Sequence, residues 1–392
     1  MTDVESLQAE FIDALVASGA VRDPRWIAAF RHIFRGPFVP YYFTQTPERS
    51  GWLLVESPTP RWAAGVYRNQ PLITQLNGDD TLTETARQGQ PVSGVSTSSS
   101  SAPALMALML EALNVHDGNK ILEIGTGTGY NTALLCHRVG ADQVTSIDID
   151  PGLINNARQH LAEFDYAPHF AIRDGTVGCG ARAPFDRIIA TVAVPSFPQE
   201  WITQARPGGV ILLPLDRRNC GGLLARLTVQ SGGVAHGRFL PDFGGFMPLR
   251  QLNRHDAADH AFRTVEDGQG DTRQTSLPAD IITQEAKPFE FFAALTLPGG
   301  GWNHLIFTPS NGDPAETWLA QGDGSWVCHT TTGGTHAIRQ GGPTRLWDQV
   351  ENAYKQWHQI GRPTRDRFGL TIDNGQHTIW LDWPDSQHQW VL

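Results

Sequence analysis

The run Ile121-Leu122-Glu123-Ile124-Gly125-Thr126-Gly127-Thr128-Gly129-Tyr130-Asn131 constrains the fold of this chain more than any other feature. A short apolar strand enters three alternate glycines, and the helical pattern Thr132-Ala133-Leu134-Leu135-Cys136 follows at once. Glycine at such a strand-to-helix turn adopts backbone angles barred to other residues and lets a ligand approach the main chain. The spacing is G-x-G-x-G, not the G-x-G-x-x-G that cradles a pyrophosphate. Further strands are expected at residues 143–148, 170–173, 185–191 and 210–214, the last after the turn Pro207-Gly208-Gly209. Helices are expected at 153–164 and 199–205. This alternation defines an α/β, Rossmann-like architecture: a mainly parallel sheet with helices on both faces. A ligand is then expected beyond the carboxyl ends of its strands.

Acidic residues mark that edge. Glu123, two residues before the first glycine, can accept from a cationic or ammonium-bearing ligand. Asp148 ends the second strand about twenty residues past the turn, where a carboxylate takes both hydroxyls of a ribose. Asp150 precedes Pro151, a proline suited to a first helical turn, and reads as a helix cap. Asp186, opening the fourth strand, reads as structural. The segment Ser96-Thr97-Ser98-Ser99-Ser100-Ser101-Ala102-Pro103 has the composition of a linker. Residues 103–113 are apolar all round, however, which indicates a buried helix with Pro103 in its first turn. The serines then stand at a helix amino end, whose unpaired N–H groups and positive dipole suit a carboxylate. Capping of that helix by Ser101 is a competing and compatible reading.

The glycine turn resembles motif I of the S-adenosylmethionine-dependent methyltransferases. That resemblance implies cofactor contacts from Glu123, Gly125, Thr126, Gly127, Thr128, Gly129, Asn131, Asp148 and Ile149, and an adenine contact at Asp174 and Gly175. It implies S-adenosyl-L-homocysteine as product and no metal. The serine element resembles that of the protein L-isoaspartyl O-methyltransferases, in which a Ser-Ala-Pro or Ser-Gln-Pro serine helps hold the substrate carboxylate. Ser101 is the matching position, and Ser100 and Ser99 could share the role. Further likeness lies in Arg35-Gly36-Pro37-Phe38-Val39-Pro40, Tyr67-Arg68-Asn69-Gln70-Pro71-Leu72, Ala183-Pro184-Phe185-Asp186-Arg187-Ile188-Ile189, and Arg238-Phe239-Leu240 through Phe246-Met247-Pro248-Leu249. The resemblance spans about residues 20–250.

The chain also departs from that family. Ala104 stands where typical repair enzymes have a histidine, residues 77–96 form an enlarged stretch, and about 140 residues follow Leu249. The serine-rich form, Ile147-Asp148-Ile149-Asp150-Pro151 and the long tail are more similar to methyltransferases that accompany ATP-grasp ligases in pathways to ring-closed ribosomal peptides (graspetides). This implies methylation of an ordinary aspartate in a ring-bearing precursor peptide, the ester then collapsing to aspartimide. Two other readings are isoaspartyl repair of damaged proteins and a cofactor-binding scaffold with little activity. The intact Glu123, Gly125, Gly127, Gly129, Asp148 and Asp174 weigh against the scaffold, and Ala104 and the tail against repair. A carboxylate is already nucleophilic at neutral pH, so no general base is required. Positioning and desolvation carry such a reaction.

A chain of 392 residues is expected to hold two or three domains. The sections are an N-terminal helical part (1–80, with helices at 5–18 and 24–32), the methyltransferase core (81–252), a polar connection (253–274) and an α+β tail (275–392). Within the tail, strands are expected at 289–295, 302–307, 325–328 and 370–372, with a helix at 346–360. Eight of the 12 tryptophans lie there (Trp302, Trp318, Trp326, Trp347, Trp357, Trp380, Trp383 and Trp390). Core packing accounts for most such residues, and a part in substrate recognition is the further expectation. A net charge of −10 without a basic cluster argues against nucleic acid. Cys136, Cys179, Cys220 and Cys328 are far apart and the histidines are dispersed, so neither a zinc site nor a disulfide framework is indicated. The acidic amino terminus is no signal peptide and no apolar run suits a membrane, so a soluble cytoplasmic protein is expected.

Overall fold

A computed structural model describes residues 4–217, 220–250, 270–283, 288–297, 303–307 and 315–392. The chain divides into two compact units. The first comprises Met1–Val192, Pro198–Leu213 and Thr228–Gly233; the second comprises Ala193–Phe197, Pro214–Leu227 and Val234–Leu392. Residues 1–80 are thus part of one unit with most of the expected core, and the second unit begins well before the expected connection.

The first unit opens with helices α1 (Val4–Ala17) and α2 (Pro24–His32). Asp23 caps α2 by accepting from the Arg25 N–H. A hairpin of β1 (Tyr41–Gln45) and β2 (Trp52–Glu56) follows, which the sequence reading had assigned to no element. Helix α3 (Pro60–Val66), β3 (Leu72–Leu76), α4 (Thr81–Arg87) and β4 (Ser96–Ser100) come next. The four strands form an antiparallel sheet in the order β2-β1-β3-β4. Phe43, Leu76, Ala86 and Val92 make its core, with Trp52, Leu54 and Leu82 packed against them. The enlarged stretch 77–96 therefore supplies α4 and one wall of this core.

The serine run is a strand at the edge of that sheet, with Leu72 opposite Ser100 and Ile73 opposite Ser99. Its side chains alternate: Ser98 and Ser100 are buried, while Ser99 and Ser101 are partly exposed. The composition is that of a linker, yet the run is a strand that delivers Ser101 to the amino end of α5. The strand forms because its inward hydroxyls find partners, not because serine favours strands.

The parallel sheet contains β5 (Ile121–Ile124), β6 (Val144–Asp148), β7 (His169–Ile172), β8 (Phe185–Ala190) and β9 (Ala205–Arg217) in the order β9-β8-β5-β6-β7. Helices α5 (Pro103–Leu113), α6 (Tyr130–Val139), α7 (Pro151–Ala162) and α8 (Gln199–Gln204) connect or flank these strands. The Pro207-Gly208-Gly209 turn lies inside β9, where the pairing register slips opposite Phe185 and Arg187. Buried Arg187 donates to the carbonyls of Leu113 and Asn114, satisfying the open end of α5.

The second unit holds a five-stranded antiparallel sheet in the order Asp271–Thr275, Thr335–Gly341, Trp326–Thr332, Glu316–Ala320, Asn303–Phe307. Another antiparallel run pairs Ala235–Phe243 with Phe368–Asp373, then Gln376–Leu381 and Gln389–Val391. The helix Leu346–Gln359 matches its expected span. The expected strand at 289–295 is instead the helix Pro288–Thr296, with Phe289 through Leu295 all buried. Phenylalanine-rich sequence mimics a strand, but burial on every side and a leading proline fit a core helix. Residues 253–269 of the expected connection lie outside the described residues, as does Trp302 of the expected strand 302–307, and Asp271–Thr275 is a strand. No described helix is long and apolar enough to cross a membrane.

Gly129 has φ +86°, and an added Cβ would stand 2.9 Å from the Ala157 Cβ of α7. Gly129→Ala is expected to lower stability by roughly 1–3 kcal/mol, from backbone strain and that close approach. Urea unfolding measures it, and an unchanged midpoint would show that α7 does not press on the turn.

Candidate active site

The turn after β5 brings three separate constraints together. Gly125 has φ +96°, and a side chain there would meet Thr191 Oγ1 at 2.7 Å. Thr191 in turn donates to the Gly125 carbonyl at 2.6 Å. Gly129 is closed off by α7. Gly127 differs: an added Cβ would meet nothing nearer than the Ser99 carbonyl at 3.6 Å and Ser98 Oγ at 3.8 Å. The outer glycines thus permit close packing, and the middle one faces the serine strand.

Asp148 ends β6 beside this turn. Its Oδ2 accepts from the Gly127 N–H at 3.0 Å and its Oδ1 from the Asp150 N–H at 3.1 Å. The carboxylate is partly exposed, and each of its oxygens can accept more than one hydrogen bond. Asp150 caps α7, accepting from Gly152 and Leu153, and its other oxygen accepts from Gln75 at 3.0 Å. Asp174 follows β7, where Arg173 N–H donates to the Asp148 carbonyl at 2.8 Å. Asp174 Oδ1 accepts from Thr176, and the Gly175 carbonyl accepts from Trp201 Nε1. Ile149 and Thr128 are partly exposed beside Asp148 and the turn. Asp186 is structural, accepting from the Lys120 N–H and pairing with Arg206.

Glu123 departs from its expected place. It is wholly buried and accepts from Asn131 Nδ2 (2.8 Å), Thr132 Oγ1 (2.5 Å) and Ser146 Oγ (2.7 Å). Thr126 Oγ1 joins the network through Ser146 at 2.6 Å. Instead of meeting a ligand, Glu123 ties the strand, the turn, the first turn of α6 and β6 to one another. Burial pushes its carboxyl up to about 7, against the pull of the hydrogen bonds from Thr132, Asn131 and Ser146.

The three serines also separate. Ser100 Oγ accepts from Arg35 Nε at 3.1 Å in the interior, so it does not face an acceptor. Ser99 and Ser101 remain on the accessible side. Ser101 is not the cap of α5: the cap position is Ala102, which makes no side-chain cap bond. The cap comes from elsewhere, because Asn69 Oδ1 accepts from the Ala104 N–H at 2.9 Å. Sequence reading missed Arg35 and Asn69 in these roles. An arginine inside the apolar run Ile33 to Val39 was the available signal for the first.

The arrangement fits a nucleoside carrying a cationic amino-acid tail. Gly127 faces the serine strand, Asp148 stands beside it, and the buried Asn131 Oδ1 accepts from no described group. No group of histidine, cysteine or acidic side chains among the described residues could hold a metal ion. Fold and site together define a Rossmann-like methyltransferase.

Residues 79–235 match the family Protein-L-isoaspartate(D-aspartate) O-methyltransferase (PCMT). The protein-L-isoaspartate O-methyltransferase of Methanoculleus marisnigri is 33% identical over 245 residues, 60% of this chain and 91% of its own length. That of Thermococcus onnurineus is 30% identical over 217 residues, 55% of this chain and 80% of its own. A solved protein-L-isoaspartate O-methyltransferase, 20% identical, covers 96% of this chain and all of its own with a TM-score of 0.54, and so shares the fold. The chain belongs to the protein-L-isoaspartate(D-aspartate) O-methyltransferase family, and is an S-adenosylmethionine-dependent carboxyl O-methyltransferase.

The raised carboxyl of Glu123 has a pH signature. A buried acid whose folded value exceeds its ordinary 4.5 costs stability progressively as pH rises from about 4.5 to about 7. Glu123→Gln removes this dependence, so wild type should lose up to roughly 3 kcal/mol relative to the variant across that window. Urea unfolding at pH 5 and pH 8 tests it; parallel losses in both proteins would assign the titration to another group.

Proposed function

We propose that this enzyme esterifies the side chain of an ordinary aspartate in a ribosomally made peptide already closed into a ring by an ATP-grasp ligase. The ester then collapses to an aspartimide through the neighbouring backbone nitrogen. One observation carries the acceptor site: Gly127, the middle glycine of the turn, lies against the strand that leads to Ser101. Gly127, Asp148, Asn131 and Asp174 are the residues that would hold the cofactor, with the ribose hydroxyls on Asp148. When bound, S-adenosylmethionine supplies an electrophilic methyl group on a sulfonium centre. The chain's own part is to orient and to dry. Ser101 donates a single neutral hydrogen bond to the acceptor carboxylate, and exclusion of water as the peptide and cofactor bind strengthens it. No side chain needs to take a proton, because the acceptor is already ionised.

Two features favour an aspartate in a dedicated peptide over damaged protein. Ala104 offers only a methyl group at the position where the resemblance places a histidine, and its N–H is taken by Asn69. Ordinary aspartate is common in the cell, so choosing one requires contacts away from the reacting carboxylate, for which the second unit is the available surface. Isoaspartyl repair is the second reading. It is favoured by the relatives' names, which are protein-L-isoaspartate O-methyltransferases.

Asp148→Ala and Ser101→Ala should fail in opposite ways. The first is expected to weaken S-adenosylmethionine binding by roughly 1–3 kcal/mol. The second leaves that affinity intact and lowers methyl transfer by roughly 10- to 100-fold. Because Asn69 supplies the helix cap, Ser101→Ala should unfold as wild type does. Normal turnover in Ser101→Ala would remove the hydroxyl from the acceptor site. Mass spectrometry of a cyclised precursor should show gain of one methyl, then loss of methanol to a product one water lighter than the substrate. Isoaspartyl peptides methylated as fast as any cyclised precursor would establish repair instead.

A further inference from the structure

Arg35 is entirely buried, yet its guanidinium donates only to neutral oxygens. Nε meets Ser100 Oγ at 3.1 Å; Nη1 meets the carbonyls of Val66 at 3.0 Å and Arg68 at 3.2 Å. Nη2 meets the carbonyls of Gln70 at 3.1 Å, Ser100 at 3.0 Å and Ser101 at 3.1 Å. Its ionisable neighbours are the tyrosines Tyr130 and Tyr67, and no carboxylate among the described residues pairs with it. Burial draws it down to about 10, so it stays charged at neutral pH. A buried cation without a counter-ion is expensive to keep. If its only task were to tie carbonyls together, neutral donors could do it.

Ser101 cannot by itself explain selectivity. A hydroxyl donates equally well to an aspartate oxygen and to the amide oxygen of the isosteric asparagine. Part of the helix end is already used: Pro103 has no N–H and the Ala104 N–H is bonded to Asn69. Arg35 brings an unbalanced charge to the end of the serine strand, donating to the Ser101 carbonyl at 3.1 Å, and the medium around it is protein, which screens poorly. We propose that Arg35 is a positioning residue for the acceptor: its charge, fixed behind Ser100 and Ser101, makes this site select an ionised carboxylate over a carboxamide. The proposal rests on the acceptor reading of Ser101 given above.

The test uses the full chain and whichever peptide it methylates, ring-bearing or isoaspartyl, beside the same peptide with the acceptor changed to its carboxamide. Titration calorimetry with S-adenosyl-L-homocysteine present gives the affinity for each, and their ratio is the readout. In Arg35→Gln the acid-over-amide ratio should fall by about tenfold or more, while affinity for the amide form and for S-adenosyl-L-homocysteine changes little. Arg35→Lys, which keeps a charge, should retain most of the ratio. Ser100→Asp places a carboxylate beside Nε with the guanidinium intact, and should abolish the preference even if Arg35→Gln does not fold. A purely structural role weakens acid and amide alike, so an unchanged ratio in the folded variants overturns the proposal. If the wild-type chain methylates neither class of peptide, the acceptor reading fails and this proposal falls with it.

Discussion

The cofactor turn depends on a carboxylate that does not reach solvent. Glu123 sits at the end of β5 and takes hydrogen bonds from Asn131, Thr132 and Ser146, three groups on two different elements. A charge leaves water only where protein dipoles replace the shell it gives up. That requirement fixes where α6 can begin and where β6 must lie, which determines the path of Gly125 to Gly129 between them. Arg35 imposes the same kind of constraint on the other half of the unit. Its six oxygens come from two segments, so 66–70, 100–101 and the stretch that carries Arg35 cannot shift independently. The two groups do not pair. Each is held by neutral partners, Glu123 on the side of the glycine turn and Arg35 on the side of the serines.

The elements legible in the sequence were those defined over short distances. The strand–turn–helix around Gly125, the acid ending β6 and the Asp150 cap all appear where spacing and propensity place them. The roles that escaped depend on partners far along the chain. Arg35 meets Ser100 across 65 positions and Asn69 caps α5 across 35, so no local pattern announces either. Glu123 is a different case. Its inward direction was open to argument, since β5 is flanked by β6 and β8 and is buried at all four positions. An acid in such a strand has to be satisfied from within.

The second unit shows how composition misleads at both ends of the scale. Phe289 to Leu295 carries the residues of a strand and forms a helix because burial on all sides relaxes the choice of period. Of the described tryptophans, Trp326, Trp347 and Trp380 are core residues, as packing alone would require. Trp383 is the contrast, 66% exposed and with Arg238 over its ring at 5.9 Å. Arg238 also lies over Trp380 and donates to the carbonyls of Asp366, Arg367 and Asp382, so the exposed ring is held on a fixed cation. An aromatic so presented has surface to offer a peptide without losing much freedom on binding.

Methylation of a carboxylate consumes its negative charge, which sets a limit on how that charge can be held. A direct ion pair would stabilise the reactant more than the transition state and slow the transfer. A site without any cation would admit asparagine as readily as aspartate. Placing the guanidinium behind the peptide bonds of Ser100 and Ser101 lies between these extremes. Its hydrogen bonds are spent on carbonyls and on Ser100, so none remains for the acceptor, and only the longer-range field reaches it. The field distinguishes acid from amide at binding, and the single neutral donor at Ser101 asks little of the carboxylate as its charge is lost. Selection and turnover are thereby assigned to different residues, the buried Arg35 and the partly exposed Ser101, which meet at the end of the serine strand.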